Sequence, residues 1–408
     1  MIWQRRHAVL GVLFCAYLLC YMDRMVVASS IPFIAKEFNL SPFAQGAVLS
    51  AFFVGYALMQ IPGGFLADRF GPRRIMTAAM VSWSVFTALT GLAGSFAALL
   101  GIRLFFGFSE GPFPPAASKT VATWFPQREV GRANGFQLAA INIGAAVAPL
   151  FVAPLVIYWG WRIVFYSLLV PGLVLALVVR LVAQDSSAHP HPDQSAIKGT
   201  GENIRITQLL KMPAVVWCAV SLFFVNIVTW GLMNWLPTYL LQARGFSVSR
   251  MGVGASLPFF AGALGYYLSG HISDKYFSQR RHIPIVAALV VASLMTYWAA
   301  VASTGEWAIV ALVLAFLFLF VASGGLFSLP LLLVPKEAVG RAFGLVNTVG
   351  QVAAFVSPLL IGYVLAHTHS NFTLVFYGLV GLFLVGACAA LRIRPQGPFL
   401  QSASVSTG

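Results

Sequence analysis

Four ionisable residues sit where an apolar chain has no cheap place for them. Asp23 and Arg24 fall inside the apolar stretch 8–30, and Arg103 and Glu110 inside the stretch 96–121. A charged group at the centre of a spanning helix costs about 2.5–3.5 kcal/mol on insertion scales, so such groups face a protein cavity and work there. Arg103 and Glu110 are seven residues apart, two helical turns, and share a face. Asp23 and Arg24 are neighbours whose side chains diverge by about 100°, so one can face the helix of Glu110 while the other faces a central cavity. Arginine suits a carboxylate ligand because its fork donates two parallel hydrogen bonds. A carboxylate beside it is poised to take up a proton when the arginine turns to a substrate. The expected chemistry is anion binding at Arg24, proton binding at Asp23 and Glu110, and neutralisation of either carboxylate by Arg103 in the empty site. A static network that merely joins two helices would not need such costly groups, since small residues or amides do that.

The elements that must hold these residues are membrane spans. Of the 408 residues 59% are hydrophobic and only 9% charged, against about 25% charged in soluble domains. Apolar segments recur at 8–30, 43–67, 74–94, 96–121, 131–157 and 162–183, and resume at 212–241, 250–272, 283–303, 307–334, 340–366 and 372–392. Each is long enough, or nearly so, for the roughly 20 residues a crossing helix needs. The predicted fold is all-α, about twelve transmembrane helices in two pseudo-symmetric six-helix bundles. Residues 1–183 form the charged half, 184–211 a polar linker, 212–394 the second half and 395–408 a tail. The linker is too poor in apolar residues for a core of its own. Arg5 and Arg6 before an apolar run superficially suggest a signal peptide. The run is long and interrupted by Asp23-Arg24, so an uncleaved first helix is the better reading.

With both termini on one side, that side carries nineteen Lys and Arg residues, and the other carries Lys36, Arg162, Arg244 and Arg250. The positive-inside rule then puts the termini and the linker in the cytoplasm. The net charge of +14 is explained by these short loop clusters, and no basic-aromatic module to grip nucleic acid is present. Cys15, Cys20, Cys218 and Cys388 lie in apolar spans without metal-ligand spacing and read as small buried hydrophobes.

The halves repeat. Gly64-Phe65-Leu66-Ala67-Asp68-Arg69-Phe70-Gly71-Pro72-Arg73-Arg74 closes the second span, and Gly270-His271-Ile272-Ser273-Asp274-Lys275 closes the eighth. Val130-Gly131-Arg132-Ala133-Asn134-Gly135 and Val339-Gly340-Arg341-Ala342-Phe343-Gly344 open the fifth and eleventh. Parallel repeats with a site between them near the midplane are a transporter architecture. The Gly-x-x-x-Asp-Arg-x-Gly-x-Arg-Arg loop resembles the cytoplasmic signature of the major facilitator superfamily. Asp68, Arg69, Arg73 and the echo Asp274 are accordingly expected at a cytoplasmic gate, where Asp68 could pair with basic residues across that face. A plain charged turn is the alternative.

A narrower resemblance is carried by Tyr21-Met22-Asp23-Arg24, Gly55-Tyr56 with Gln60-Ile61-Pro62-Gly63-Gly64, and Arg103 with Gly107-Phe108-Ser109-Glu110-Gly111. These are similar to the anion:cation symporter family, which includes bacterial sugar-acid permeases and the animal sialic acid and vesicular glutamate transporters. The resemblance implies the same roles for Asp23, Arg24, Arg103 and Glu110, and substrate contacts at Tyr56 and Asn347. Tyr21, Asn142, Asn226, Trp230, Asn234 and Gln351 are further polar or amphipathic residues within spans, each also able to make a mere interhelical hydrogen bond. Phe259, Phe260, Tyr266 and Phe327 could form an aromatic wall. Pro112, Pro114 and Pro115 should bend the fourth span.

The spans of the second half hold no charge in their interiors, so coupling chemistry belongs to the first half. The expected function is proton-coupled uptake of a small organic anion by a monomer in a bacterial inner membrane, without cofactor or metal. A sugar acid wants hydroxyl partners, whereas the Phe- and Trp-rich second half keeps an aromatic or short-chain carboxylate in contention. Efflux by proton antiport is the alternative on the same scaffold. Phosphate loops, zinc-protease motifs and nucleophile elbows are absent from the sequence, which argues against an enzyme.

Overall fold

The computed structural model describes residues 2–183, 206–276, 282–329, 334 and 339–393. Most of the expected linker and the whole expected tail lie outside the described residues. The helices in chain order are α1 (Ile2–Phe38), α2 (Pro42–Phe70), α3 (Pro72–Leu92), α4 (Phe96–Glu110), α5 (Phe113–Trp124), α6 (Gln127–Trp159), α7 (Trp161–Val182) and the short α8 (Ile206–Leu209). They continue with α9 (Pro213–Thr238), which runs on through a π-helical turn Tyr239–Ala243, then α10 (Val248–Tyr276), α11 (His282–Val301), α12 (Gly305–Ser328), α13 (Val339–His367) and α14 (Phe372–Leu391). Twelve helices among the described residues, with α4 and α5 counted as one span, are long and apolar enough to cross a membrane. The protein is a multi-pass, all-helical membrane protein.

The boundaries follow local chemistry. Ser41 accepts a hydrogen bond from the Ala44 amide, Ser95 from Ala98, Thr304 from Trp307 and Asn371 from Leu374, each satisfying an otherwise orphaned first-turn donor. Gly71 and Gly160, at φ 88° and 81°, reverse the chain between α2 and α3 and between α6 and α7. The proline cluster does more than bend the fourth span. Prolines 112, 114 and 115 lack the amide hydrogens a continuous ladder would need, and the span breaks into α4 and α5 at Gly111-Pro112. Glu110 is therefore the last residue of α4.

The packing repeats with the sequence. In the first half α1 lies on α6 and α7, α2 on α4, and α3 on α4 and α7. In the second half the corresponding spans pair the same way: α9 on α13 and α14, α10 on α12, and α11 on α12 and α14. The contacts between halves are also symmetric, α2 against α13 and α6 against α10, with α1 meeting α9. Those contacts include the end where α1 turns into α2, where a Cβ added to Gly362 of α13 would lie 2.5 Å from the Pro42 carbonyl oxygen. A Cβ added to Gly252 would lie 2.9 Å from the Pro149 carbonyl oxygen, so the α6–α10 contact also leaves no room for a side chain. Within the first half α4 approaches α2 as closely: a Cβ on Gly107 would lie 2.8 Å from the Tyr56 backbone nitrogen. Small residues allow such approaches in membranes, where packing rather than hydrophobicity joins helices.

Candidate substrate and proton site

Helices α1, α2 and α4 bring the charged residues together. Arg24 Nε donates to Glu110 Oε1 at 2.6 Å, and Nη2 donates to the same oxygen. The pair is almost fully buried, at 4% and 0% side-chain exposure. Three aromatic rings enclose the guanidinium, with its Cζ 4.5 Å from the Tyr21 centroid, 4.7 Å from Phe52 and 4.5 Å from Tyr56. Rings around a cation offset part of its desolvation. Close α2–α4 packing at Gly107 seats Phe52 and Tyr56 against it.

Asp23 and Arg103 are buried beside this pair. Arg103 stacks on Phe52 and Phe106, its Cζ 5.3 and 4.7 Å from the two centroids, and its charge acts on both Asp23 and Glu110. Asp23 Oδ1, Arg103 Nε and Glu110 Oε2 are buried atoms without a hydrogen-bond partner. The geometry resolves what adjacency in sequence left open. Arg24 is the residue that grips Glu110, and Asp23 is buried in the same cluster, where Glu110 and Arg103 of α4 and Trp83 of α3 act on it. The carboxylate of Glu110 is left lopsided, one oxygen crowded with donors and the other bare.

Sequence reasoning missed one member of this cluster. Cys20 was expected to be a buried hydrophobe, but its thiol donates to Glu110 Oε1 at 3.1 Å. Cys218 Sγ lies 3.6 Å from the Leu326 carbonyl oxygen, whereas Cys15 and Cys388 are exposed rather than buried. The signal that could have found Cys20 is its spacing: it precedes Arg24 by one helical turn and shares its face.

The neutral candidates divide. Asn142 is 1% exposed and neither its Oδ1 nor its Nδ2 has a partner. Gln351 Oε1 is also buried and unpartnered. Asn234 and Asn226 instead donate to carbonyls one turn back on their own helix, Trp230 at 2.8 Å and Leu222 at 2.9 Å. Trp230 meets Phe53 of α2 edge-on at 4.8 Å, so the second half touches the helix that carries Tyr56. Asn347 Nδ2 reaches Gln60 Oε1 across the halves at 3.4 Å. Of the supposed aromatic wall, Phe259 is buried against Phe316 and Tyr266 packs on Phe320, and Phe316 and Phe320 touch at 6.0 Å, whereas Phe260 is exposed.

At the expected gate, Asp68 Oδ1 accepts from Lys119 Nζ at 2.6 Å, and Lys119 also donates to the Ala67 carbonyl at 3.2 Å. That partner is on α5 of the same half. Arg69 stacks on Phe70 at 5.3 Å, and the Arg73 carbonyl accepts from Thr77. Asp274 lies in α10, and its side chain falls outside the described residues.

The comparisons with known proteins agree with this fold. The Major Facilitator Superfamily profile matches residues 13–358. A "Probable galactarate/D-glucarate transporter" of Escherichia coli is 33% identical, covering 95% of this chain and 96% of its own length. A "Probable sulfoacetate transporter" of Cupriavidus necator is 32% identical over 96% of this chain and 94% of its own. A "Hexuronate transporter" of Bacillus subtilis is 28% identical over 95% and 94%. Among solved structures, a bacterial homolog of the human lysosomal transporter Spinster superposes with a TM-score of 0.80 at 20% identity, covering 98% of this chain and 97% of that one. A D-xylose-proton symporter follows the same fold with a TM-score of 0.77 at 16% identity, covering 95% and 97%. The chain thus belongs to the Major Facilitator Superfamily, a family of membrane transporters rather than enzymes.

Proposed function

We propose that this protein is a proton-coupled symporter that carries a small organic anion, foremost a sugar acid, into a bacterial cell. The observation that carries the reading is the double use of Arg24: its fork is the natural ligand for a substrate carboxylate, yet Glu110 occupies it. A proton arriving on the bare Oε2 of Glu110 neutralises the carboxylate and weakens its hold on Arg24. The freed guanidinium then takes the anion, framed by Tyr21 and Tyr56. Asp23, facing Arg103 in the same cluster, is the second proton position. With one proton per monoanion the cycle is electroneutral. With two, each cycle moves a positive charge inward, which 100 mV favours by about 2.3 kcal/mol.

Halves 1–183 and 212–394 rock about this site, joined by the 184–211 linker. Asp68, Arg69, Arg73 and Asp274 serve the cytoplasmic gate, with Asp68 held by Lys119 in the present arrangement. Trp230, Asn234 and Asn347 line the second half's side of the path. The protein acts as a monomer in the inner membrane with both termini in the cytoplasm, a topology supported by the one-sided distribution of Lys and Arg. The relatives named for galactarate, D-glucarate and hexuronate favour sugar acids over aromatic carboxylates.

The test is uptake of labelled D-glucarate, D-glucuronate, sulfoacetate and benzoate into proteoliposomes with an imposed inward proton gradient. Symport predicts that a sugar acid accumulates above its outside concentration, that an uncoupler abolishes the accumulation, and that adding substrate alkalinises the medium. Export driven by the same gradient would establish antiport instead.

Asn142 supplies a separate expectation. A buried amide without partners costs stability, about 1–3 kcal/mol per unsatisfied group, unless a ligand completes it. Asn142→Leu should therefore raise the unfolding temperature and weaken sugar-acid binding by about tenfold, the worth of roughly one good hydrogen bond. A variant that gains stability and keeps full affinity would remove Asn142 from the substrate path.

A further inference from the structure

We infer that Cys20 is a positioning residue of the proton site, the donor that stays on Glu110 when Arg24 leaves for the substrate. The inference rests on the symport reading above. Cys20 and Arg24 stand one turn apart on α1 and reach across to the same atom of α4, Glu110 Oε1, at 3.1 Å for the thiol. The thiol is 1% exposed, and the other carboxylate oxygen is buried and bare. The titratable and charged groups that act on Glu110 are Cys20, Tyr21, Asp23 and Arg24 of α1, Tyr56 of α2, and Arg103 of α4 itself. Of these, Arg24 and Cys20 hydrogen-bond to it.

The chemistry of a thiol fits this duty. At alkaline pH, where an anion takes Arg24 before a proton reaches Glu110, an ionised Glu110 with no donor at all would bear the full cost of a buried, unsatisfied charge. A thiol is a weak donor, enough to leave Oε1 satisfied but not so strong that it replaces the arginine. When Glu110 carries its proton on Oε2 the thiol contact matters little. Cys20 therefore acts while Glu110 is ionised, and its removal is felt at alkaline pH. A serine would keep the donor and an alanine would not.

The direct experiment needs no substrate. The infrared S–H stretching band of the full-length protein is assigned to Cys20 by its loss in Cys20→Ala, then followed as pH is lowered. The band should shift as Glu110 takes its proton, and should stay at one frequency at every pH in Glu110→Gln. A band that ignores pH in the unaltered protein, or one that still shifts in Glu110→Gln, overturns the assignment. Counterflow of labelled D-glucarate supplies the functional arm. Cys20→Ala should lose about two- to tenfold in affinity at alkaline pH, the range of one hydrogen bond, and match the unaltered protein at acid pH, while Cys20→Ser stays close to it throughout. Equal losses in both variants at every pH mean packing alone and overturn the proposal. Undiminished gradient-driven accumulation by Glu110→Gln would instead overturn the reading beneath it. An inactive Glu110→Gln with a pH-blind thiol sinks the role of Cys20 only.

Discussion

Arg24→Ala should weaken saturable anion binding severely, and Arg24→Lys should restore little of it. Truncating one partner of a buried, hydrogen-bonded charge pair costs about 2–5 kcal/mol, so affinity should fall by roughly thirty-fold to several thousand-fold. Lysine keeps the charge but not the planar fork that puts Nε and Nη2 on one oxygen, nor the flat face that three rings enclose. Alanine also strands Glu110 as a buried charge without its main partner, a defect worth about 3–5 kcal/mol of stability. The double variant Arg24→Ala, Glu110→Gln separates the two effects. It removes both charges, should recover the unfolding temperature, and should still fail to bind. Binding by the double variant would place the anion contact elsewhere. Isothermal titration calorimetry and thermal unfolding in detergent decide both points.

Glu110→Gln has the second large effect, and its sign differs between two assays. Each coupled proton contributes about 1.4 kcal/mol, or tenfold in accumulation ratio, per pH unit of gradient. If Glu110 is the proton carrier that frees Arg24, its amide variant brings the final accumulation ratio down toward that of a passive carrier. Counterflow, which needs substrate exchange but no net proton movement, continues. Affinity should hold or improve, because the guanidinium no longer spends part of its time on a competing carboxylate. Loss of counterflow together with accumulation would mean that Glu110 is needed for binding or folding, not for coupling.

Much of this site could be read from residue types and spacing, for a physical reason. Lipid makes a charge so costly that Asp23, Arg24, Arg103 and Glu110 stand out against apolar neighbours without any structure. The helical period alone places Arg103 and Glu110 on one face. The repeat of Asp68 at Asp274 and of Arg132 at Arg341 announced the two halves that the packing of α1–α7 and α9–α14 realises span for span. What the sequence could not supply were relations between helices. Whether Asp23 or Arg24 meets Glu110 depends on how α1 is rotated against α4. That rotation is set by contacts such as Gly144 of α6 against Leu18 and Gly107 of α4 against Tyr56.

Cys20 escaped for the same reason. A thiol in an apolar run looks like any small hydrophobe until its partner, ninety residues away, is brought within 3.1 Å. Asn226 and Asn234 show the same limit: in this structure each amide nitrogen satisfies a carbonyl of its own helix, a bond that residue type alone does not announce. Asn142, identical in type, has no such partner. Asp68 was expected to reach across the cytoplasmic face, and its contact with Lys119 stays within one half. Which partner a surface carboxylate takes depends on the distance between the halves, a quantity no motif encodes.

In the proposed mechanism Arg24 is shared between Glu110 and the anion, with a proton deciding which of them holds it. Calorimetric titration of the accumulated sugar acid into the purified protein, repeated in buffers of different ionisation enthalpy, counts the protons that accompany binding. At a pH where Glu110 is ionised, the unaltered protein should take up a proton from the buffer as each anion binds, and Glu110→Gln should lose that uptake while still binding. Proton uptake that is absent from the unaltered protein, or unchanged in Glu110→Gln, would contradict it.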